Sequence, residues 1–342
     1  MERVIDLSLR SYVVTRILMT IPMILLLLSF VFIIVRIIPG DPAAMHFERN
    51  VTPEQLAAFR ARLGMDKPIY QQFLDYLFGL PQGDLGLSMQ DFSPISSHIA
   101  IRFPATLELT IYSMLFAVLL GVALGVRASK RYDTVQDYAI RTFGIVTYAV
   151  PVFFLGMVLQ FIFSIYLGWL PTGTRYAPRF DPPATITGLY TIDSILTGNL
   201  TALVISFRYL LLPSLALGTV LCGIFIRLTR TNMLETLRMD FVVAAEARGL
   251  TDRVVTYSYA LKNAFLPIMT MIGLQFAALL AGAILTETTF SWPGLGTYLV
   301  QRIAHRDYTA IQGTVVFFGI LVSLVTLFVD ILYAYLDPRI RL

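Results

Sequence analysis

Six long stretches of the chain contain no Asp, Glu, Lys or Arg: Ile17 to Val35, Leu109 to Val126, Thr142 to Leu170, Tyr209 to Ile226, Asn263 to Thr286 and Tyr308 to Val329. A helix of about 20 apolar residues crosses a bilayer core, so each stretch has roughly spanning length. In lipid, a helix satisfies its own backbone N–H and C=O groups and an open sheet does not. The pattern predicts an all-α polytopic membrane protein with six transmembrane helices, at about 14–38, 105–127, 141–169, 209–228, 265–286 and 309–335. A further uncharged stretch, Ser194 to Phe207, is shorter and broken by Gly198 and Asn199, and reads as interfacial or re-entrant.

The segments between these stretches are also patterned. Arg36 and Pro39 follow the first span with no small-residue cleavage site, which marks an anchor and not a signal peptide. From Pro39 to Phe103 the chain is too polar to cross. Thr52-Pro53-Glu54-Gln55 supplies a capping box with proline at the first helical position, and predicts a helix to Leu63 stopped by Gly64. A second amphipathic helix is expected after Pro68, with Tyr70, Phe73, Leu74, Leu77 and Phe78 on one face. That face would cover the outer end of the bundle or meet an incoming soluble protein. The stretch Pro171 to Phe207 is rich in Pro, Gly and Thr and reads as irregular, with Trp169 and Tyr176 near the lipid interface. The expected organisation is an anchor helix (1–38), an external helical subdomain (39–104) and a five-helix core (105–338). The core includes an external loop (171–207) and a cytoplasmic loop (229–264).

Basic residues orient the bundle. Arg3, Arg10 and Arg16 precede the first span, and Arg127, Lys130, Arg131 and Arg141 fill the second connection. Six more lie from Arg227 to Lys262, and Arg339 and Arg341 follow the last span. The opposite side has Arg175, Arg179, Arg208, Arg302 and Arg306 in its shorter connections, so both termini are expected in the cytoplasm. This asymmetry accounts for the net charge of +4 without a nucleic-acid partner, because no basic cluster with interleaved aromatics is present. The composition, 56% hydrophobic and 14% charged, agrees with a membrane protein embedded in the bilayer. The single cysteine, Cys222, allows neither an internal disulfide nor a cysteine metal cage.

One polar insert stands apart. Between Asp240 and Pro267 the chain reads DFVVAAEARGLTDRVVTYSYALKNAFLP, with small Ala244, Ala245 and Ala247, then Gly249 where a helix would stop, then Thr251 as a cap for a second short helix. A compact helix with an alanine face and a glycine turn suits a groove on another protein, though an amphipathic interfacial helix would read similarly. Ala244, Ala245, Gly249, Leu266 and Pro267 resemble, in order, the coupling-loop signature of ABC importer permeases. Val243 stands where that signature has glutamate, and the wide spacing to Leu266-Pro267 resembles the dipeptide, oligopeptide and nickel branch.

Further blocks look like successive motifs of the B-type peptide permease subunit of that branch. They are Arg36-Ile37-Ile38-Pro39-Gly40-Asp41-Pro42, Thr52 to Gln55, Leu63 to Pro68, Gly83 to Gly86, Pro104 to Leu109 and Glu287 to Gly296. The resemblance implies a type I ABC importer permease fold in the cytoplasmic membrane of a bacterium or archaeon. It implies a second homologous permease, two ABC ATPase subunits and an extracytoplasmic substrate-binding protein as partners. Asp240, Ala244, Ala245, Glu246, Ala247, Arg248, Gly249 and Leu250 would then meet the ATPase. Peptides would be the solute, with oligosaccharides, nickel chelates and glutathione as alternatives.

No cofactor is expected on the chain. None of Lys67, Lys130 and Lys262 follows a glycine, so a phosphate loop is missing, and ATP and magnesium would be bound by the partner subunits. His46, His98 and His305 are scattered and outside catalytic motifs, which argues against an enzyme. The six stretches lack ionisable groups, with Arg36, Glu108, Glu287 and Asp330 at their ends, which disfavours an ion-coupled secondary carrier. Pro151, Gly156, Pro213, Gly218 and Gly282, with Gly121, Gly125 and Gly144, are candidates for helix bending or close packing along a pathway.

Overall fold

The computed structural model describes residues 9–37 and 52–336. His46, the block from Pro39 to Pro42, and Arg3, Arg339 and Arg341 lie outside the described residues. Among those described, regular structure is helical, with one isolated bridge between Leu87 and Pro94. Helix α1 is Leu9–Ile37, α2 Pro53–Arg62, α3 Ile69–Gly79, α4 Ile95–Lys130, α5 Val135–Ala149 and α6 Val152–Leu159. Then come α7 Tyr190–Leu196, α8 Leu200–Thr236, α9 Asp240–Ala247, α10 Asp252–Gly282, α11 Ile284–Thr289, α12 Leu295–Ala304 and α13 Tyr308–Leu336. Five of them, α1, α4, α8, α10 and α13, are long and apolar enough to cross a membrane. The pair α5 and α6 makes a sixth crossing if counted as one span.

That pair fills the span expected over 141–169, and its break falls at Pro151, one of the positions expected to bend a helix. It is bent by 102° at Val150-Pro151. Proline crowds the residue before it out of the α region, and Val150 is extended (φ −80°, ψ 128°). Beyond α6, the turn Gln160–Tyr166 is π-helical, and Gln160 Nε2 donates to the carbonyls of Thr172 (2.6 Å) and Thr289 (3.1 Å).

The other positions assigned to bending behave differently. Pro213 lies inside an uninterrupted α8, and Gly282 ends α10. Gly156 and Gly218 are sites of close contact: an added Cβ would lie 2.9 Å from Phe290 Cε2 and 2.7 Å from the Ser113 carbonyl, respectively. The stretch Ser194 to Phe207 is divided between α7 and α8, so its second half belongs to the fourth span and is not a separate re-entrant piece. Asn199 Oδ1 caps α8 by accepting the Ala202 N–H at 2.9 Å. Arg208 had broken the uncharged run; its guanidinium donates to the Trp169 carbonyl at 2.8 Å.

The core lies where α4 and α8 run against each other. Leu109, Met114 and Ala117 are buried with Leu217, Leu221 and Phe225. The backbones can approach because Gly121 and Gly125 are one turn apart on the α4 contact face. A Cβ at either would stand 2.5 Å from the Cβ of Phe225 or Thr229. Around this pair, α10 packs on α4 and α8, α13 packs on α10, and α1 sits outermost against α13. Alternate crossing directions put the α9 loop, the start of α5 and the described ends of α1 and α13 at one end of the bundle. Arg16 and Asp330 pair there at 3.3 Å.

At the other end lie α2 and α3. The expected capping box is present: Thr52 Oγ1 accepts the Gln55 N–H (3.3 Å), and Gln55 Oε1 accepts the Thr52 N–H (3.2 Å). The single apolar face expected for α3 is split. Phe73 and Tyr76 pack on Phe32 of α1, while Tyr70, Leu74 and Phe78, one turn apart on the other flank, remain exposed.

Candidate functional site

The α9 loop is built by local chemistry. Met239 is extended and lets the chain turn out of α8, and Asp240 opens α9 with a negative charge in its first turn, where the helix dipole favours it. The helix stops after two turns in a Schellman arrangement. Gly249 N–H donates to the Glu246 carbonyl (2.9 Å) and Leu250 N–H to the Ala245 carbonyl (3.4 Å). This turn needs a left-handed residue, and Gly249 has φ +72°. Nothing lies within 4 Å of where its Cβ would be, so the requirement is conformational and not one of space.

After the turn, Thr251 occupies the N-cap position, but its hydroxyl makes no capping bond. The expected second short helix is instead the first part of α10. Its backbone passes through a π-helical segment, Val255–Leu261, and continues without interruption to Gly282. The connection 229–264 therefore contributes its first residues to α8 and its last to α10, and α9 with its two flanking turns is all that stands free of the long helices.

Burial divides the predicted residues into two sets. Ala245 is buried with Val242 against Val255, and Leu250 and Tyr259 close the same cluster. Ala245 therefore faces its own chain, because the i, i+3 step from Val242 puts both on the inward face. Asp240, Ala244, Glu246, Ala247, Arg248 and Gly249 are exposed. So are Met239, Phe241 and Val243, and, on the start of α10, Val254 and Tyr257. The sequence pattern missed these apolar side chains; their signal was the run Phe241-Val242-Val243, too long for a helix with only one buried face. Lys130 at the end of α4 pairs with Asp252 at the start of α10, beside the turn.

The far end of the bundle joins motif blocks that are remote in sequence. Glu108 of α4 is buried, and Arg175 donates to its Oε2 through Nε (3.1 Å) and Nη2 (2.7 Å). Thr191 donates to Glu108 Oε1 through its N–H (2.8 Å) and hydroxyl (2.7 Å). On the same helix, Thr106 donates to Glu287 Oε1 (2.6 Å) and accepts the Leu295 N–H (2.8 Å), while Trp292 Nε1 donates to the Ala105 carbonyl (2.8 Å). The blocks Pro104 to Leu109 and Glu287 to Gly296 are thus two halves of one contact.

Nearby, Asp193 receives Thr187 N–H (2.8 Å), Thr187 Oγ1 (2.7 Å), Gly188 N–H (3.0 Å) and Ile186 N–H (3.3 Å). Burial alone would raise its pKa, but these donors outweigh it and hold the carboxyl below the usual carboxylate range. Among the described residues, no three His, Cys, Asp or Glu side chains group as metal ligands. His98 stacks on Tyr298 (centroids 5.4 Å apart), and His305 Nδ1 lies 2.7 Å from the Gln301 carbonyl.

Comparison with known proteins agrees with this architecture. The profile of the family described as "Binding-protein-dependent transport system inner membrane component" matches residues 117–342, and its companion N-terminal profile matches residues 9–110. The chain is 40% identical over 331 residues to the dipeptide transport system permease protein DppB of Alkalihalophilus pseudofirmus, covering 97% of this chain and 99% of the relative. It is 41% identical over 332 residues to the di/tripeptide transport system permease protein DppB of Pseudomonas aeruginosa, covering 97% and 98%. It is 37% identical over 331 residues to the glutathione transport system permease protein GsiC of Salmonella typhi, covering 97% and 99%. With two profiles spanning nearly all of it, and an all-helical multi-pass bundle to match, the chain belongs to the inner-membrane permease family of binding-protein-dependent transport systems.

Proposed function

We propose that this chain is a permease subunit of an ATP-driven importer and forms half of the pathway for di- or oligopeptides delivered by an extracytoplasmic binding protein. A homologous permease supplies the other half. Two separate ATPase subunits bind ATP and magnesium and grip the α9 loops from the cytoplasmic side of a bacterial or archaeal membrane. The excess of arginine and lysine around α9 and in the α4–α5 connection supports that orientation.

The observation that carries this proposal is the half-packed state of α9. One face is fixed by Val242 and Ala245, and the other leaves Phe241, Val243 and Ala244 uncovered beside charged Asp240, Glu246 and Arg248. A short rigid helix with an apolar outer face fits a groove on a soluble partner. The solute assignment draws on the relatives, whose named solutes are dipeptides, di/tripeptides and glutathione, all short peptides.

Val243→Asp tests the docking surface, because Val243 is 56% exposed and touches little of its own chain. Stability should change by no more than about 0.5 kcal/mol, as for ordinary surface substitutions. In the reconstituted transporter, peptide-stimulated ATP hydrolysis should fall at least about tenfold, equivalent to about 1.4 kcal/mol of docking energy. Full stimulation in a well-folded variant would refute the assignment.

A further inference from the structure

We infer that the cleft between α5 and α8 binds an anionic phospholipid, with the phosphate between Arg141 and Arg227 and an acyl chain over Ile145, Tyr148 and Ile224. The cleft exists because the two helices touch at one point and part beyond it. At the contact, Gly223 lies against the backbone of Gly144, closely enough that any side chain at 223 would strike the Gly144 carbonyl. Beside this crossing a cavity of about 370 Å³ opens.

Its lining changes character along its length. The three arginines, Arg141, Arg227 and Arg230, occupy the end nearest the α9 loop, and the wall towards Pro151 is apolar or aromatic. From Arg141 to Tyr148 the helix rises about 10 Å, roughly the distance from a phosphate into the upper acyl region. Ile145 (67% exposed) and Tyr148 (60% exposed) leave that wall open to the surroundings of the bundle.

The arginines are not equivalent. Arg230 is engaged: its Nε and Nη2 donate to the two oxygens of buried Asp137, both at 2.7 Å. Arg141 and Arg227 are exposed and make no close ion pair among the described residues; Arg141 leans over the Tyr138 ring at 5.6 Å and feels at longer range the Asp137 carboxylate, whose two oxygens Arg230 already holds. Two exposed guanidinium groups outside any close ion pair, at the head of an apolar groove, suit an amphiphile with one negative end. Guanidinium donors fit phosphate oxygens in a bidentate way, and basic pockets between transmembrane helices on the cytoplasmic side select anionic headgroups.

A transported peptide fits less well. It carries an ammonium as well as a carboxylate, and the lining offers no Asp or Glu. The assignment of the lipid to the inner leaflet rests on the orientation proposed above. Binding itself is measured on the isolated chain without ATPase partners, so the two proposals can fail separately.

The test is native mass spectrometry of the full-length chain, with dioleoyl phosphatidylglycerol, dioleoyl phosphatidylcholine and inorganic phosphate as probes. Phosphatidylglycerol should be retained over phosphatidylcholine. Arg141→Gln and Arg227→Gln should each weaken that retention about fivefold, the scale of one basic side chain near an anionic headgroup. Lysine at both positions should restore most of it. Ala149→Trp, which fills the apolar part and leaves both arginines in place, should also lower retention, and it keeps the test decisive if the glutamine variants do not fold.

Equal retention of the two lipids, or retention of phosphatidylglycerol that none of these variants changes, would overturn the proposal. Displacement of the lipid by millimolar inorganic phosphate would instead assign a free-anion site. An altered KM for peptide uptake in the glutamine variants, with lipid retention unchanged, would assign the cleft to the solute.

Discussion

At the far end of the bundle, Glu108 and Glu287 are buried and receive hydrogen bonds from Arg175, Thr191, Thr106 and backbone N–H groups of distant segments. At the other end, the α9 loop rests on a small apolar cluster, a glycine turn and one exposed ion pair between Lys130 and Asp252. These buried carboxyl groups are held by geometry on every side, because a polar group stripped of water is costly unless it finds hydrogen-bond partners. A loop held by few apolar contacts opens at much lower cost. The contrast separates an end held by many directional bonds from an end held by a few apolar contacts.

Several substitutions can break or sharpen that contrast. The largest expected effect is at Arg175. Arg175→Ala strands Glu108, which is 2% exposed, and should cost about 3–5 kcal/mol, as does removal of one partner from other buried pairs. The readout is the thermal midpoint of the purified protein, or loss of folded material altogether. A midpoint close to that of the parent would mean that water reaches this carboxylate and the far end is not sealed.

Next is Gly249→Val, which forces a β-branched residue into φ +72° and should cost about 1–3 kcal/mol of local strain. Membrane insertion should be intact and peptide-stimulated ATP hydrolysis lost. Unchanged coupling would show that the turn can be made another way.

Asp193 gives a smaller effect and a pH signature. Its pKa is depressed in the folded state, so it contributes stability above the ordinary carboxylate value of about 3.9 and loses it as pH falls through the lower folded value. Acid should therefore loosen the segment 186–193 only below the usual aspartate range, and Asp193→Asn should flatten that part of the profile. Limited proteolysis across a pH series measures it. The smallest effect belongs to Asp252→Asn at the α9 end: with Asp252 78% exposed, the midpoint should not move measurably. A clear drop there would make the two ends more alike than the geometry suggests.

Much of this was legible in the chain itself. Long uncharged runs marked the spanning helices because charge in hydrocarbon is so costly, and Thr52 to Gln55 announced its cap because that motif is purely local. Gly249 was legible for the same reason. What escaped was decided by distant packing. Arg208 hid the start of α8, since an arginine bonded to the Trp169 carbonyl looks in sequence like any chain-breaking charge. The burial of Ala245 depended on Val255, across the turn, and the joining of Thr106 to Glu287 depended on a partner 181 residues away. Pro151 was legible as a bend because its effect on Val150 is local, but the 102° of that bend was not.

The unbroken course of α10 has a mechanical meaning. From Asp252 to Gly282 its 31 residues make a rod about 46 Å long at 1.5 Å per residue. One tip adjoins the Gly249 turn, and the other ends one residue before α11, which carries Glu287. Tilting such a rod by about 5° displaces its distant tip by about 4 Å, more than the reach of a hydrogen bond. A small shove at the Gly249 tip would thus arrive among the bonds of Thr106 and Trp292 as a shift large enough to exchange their partners.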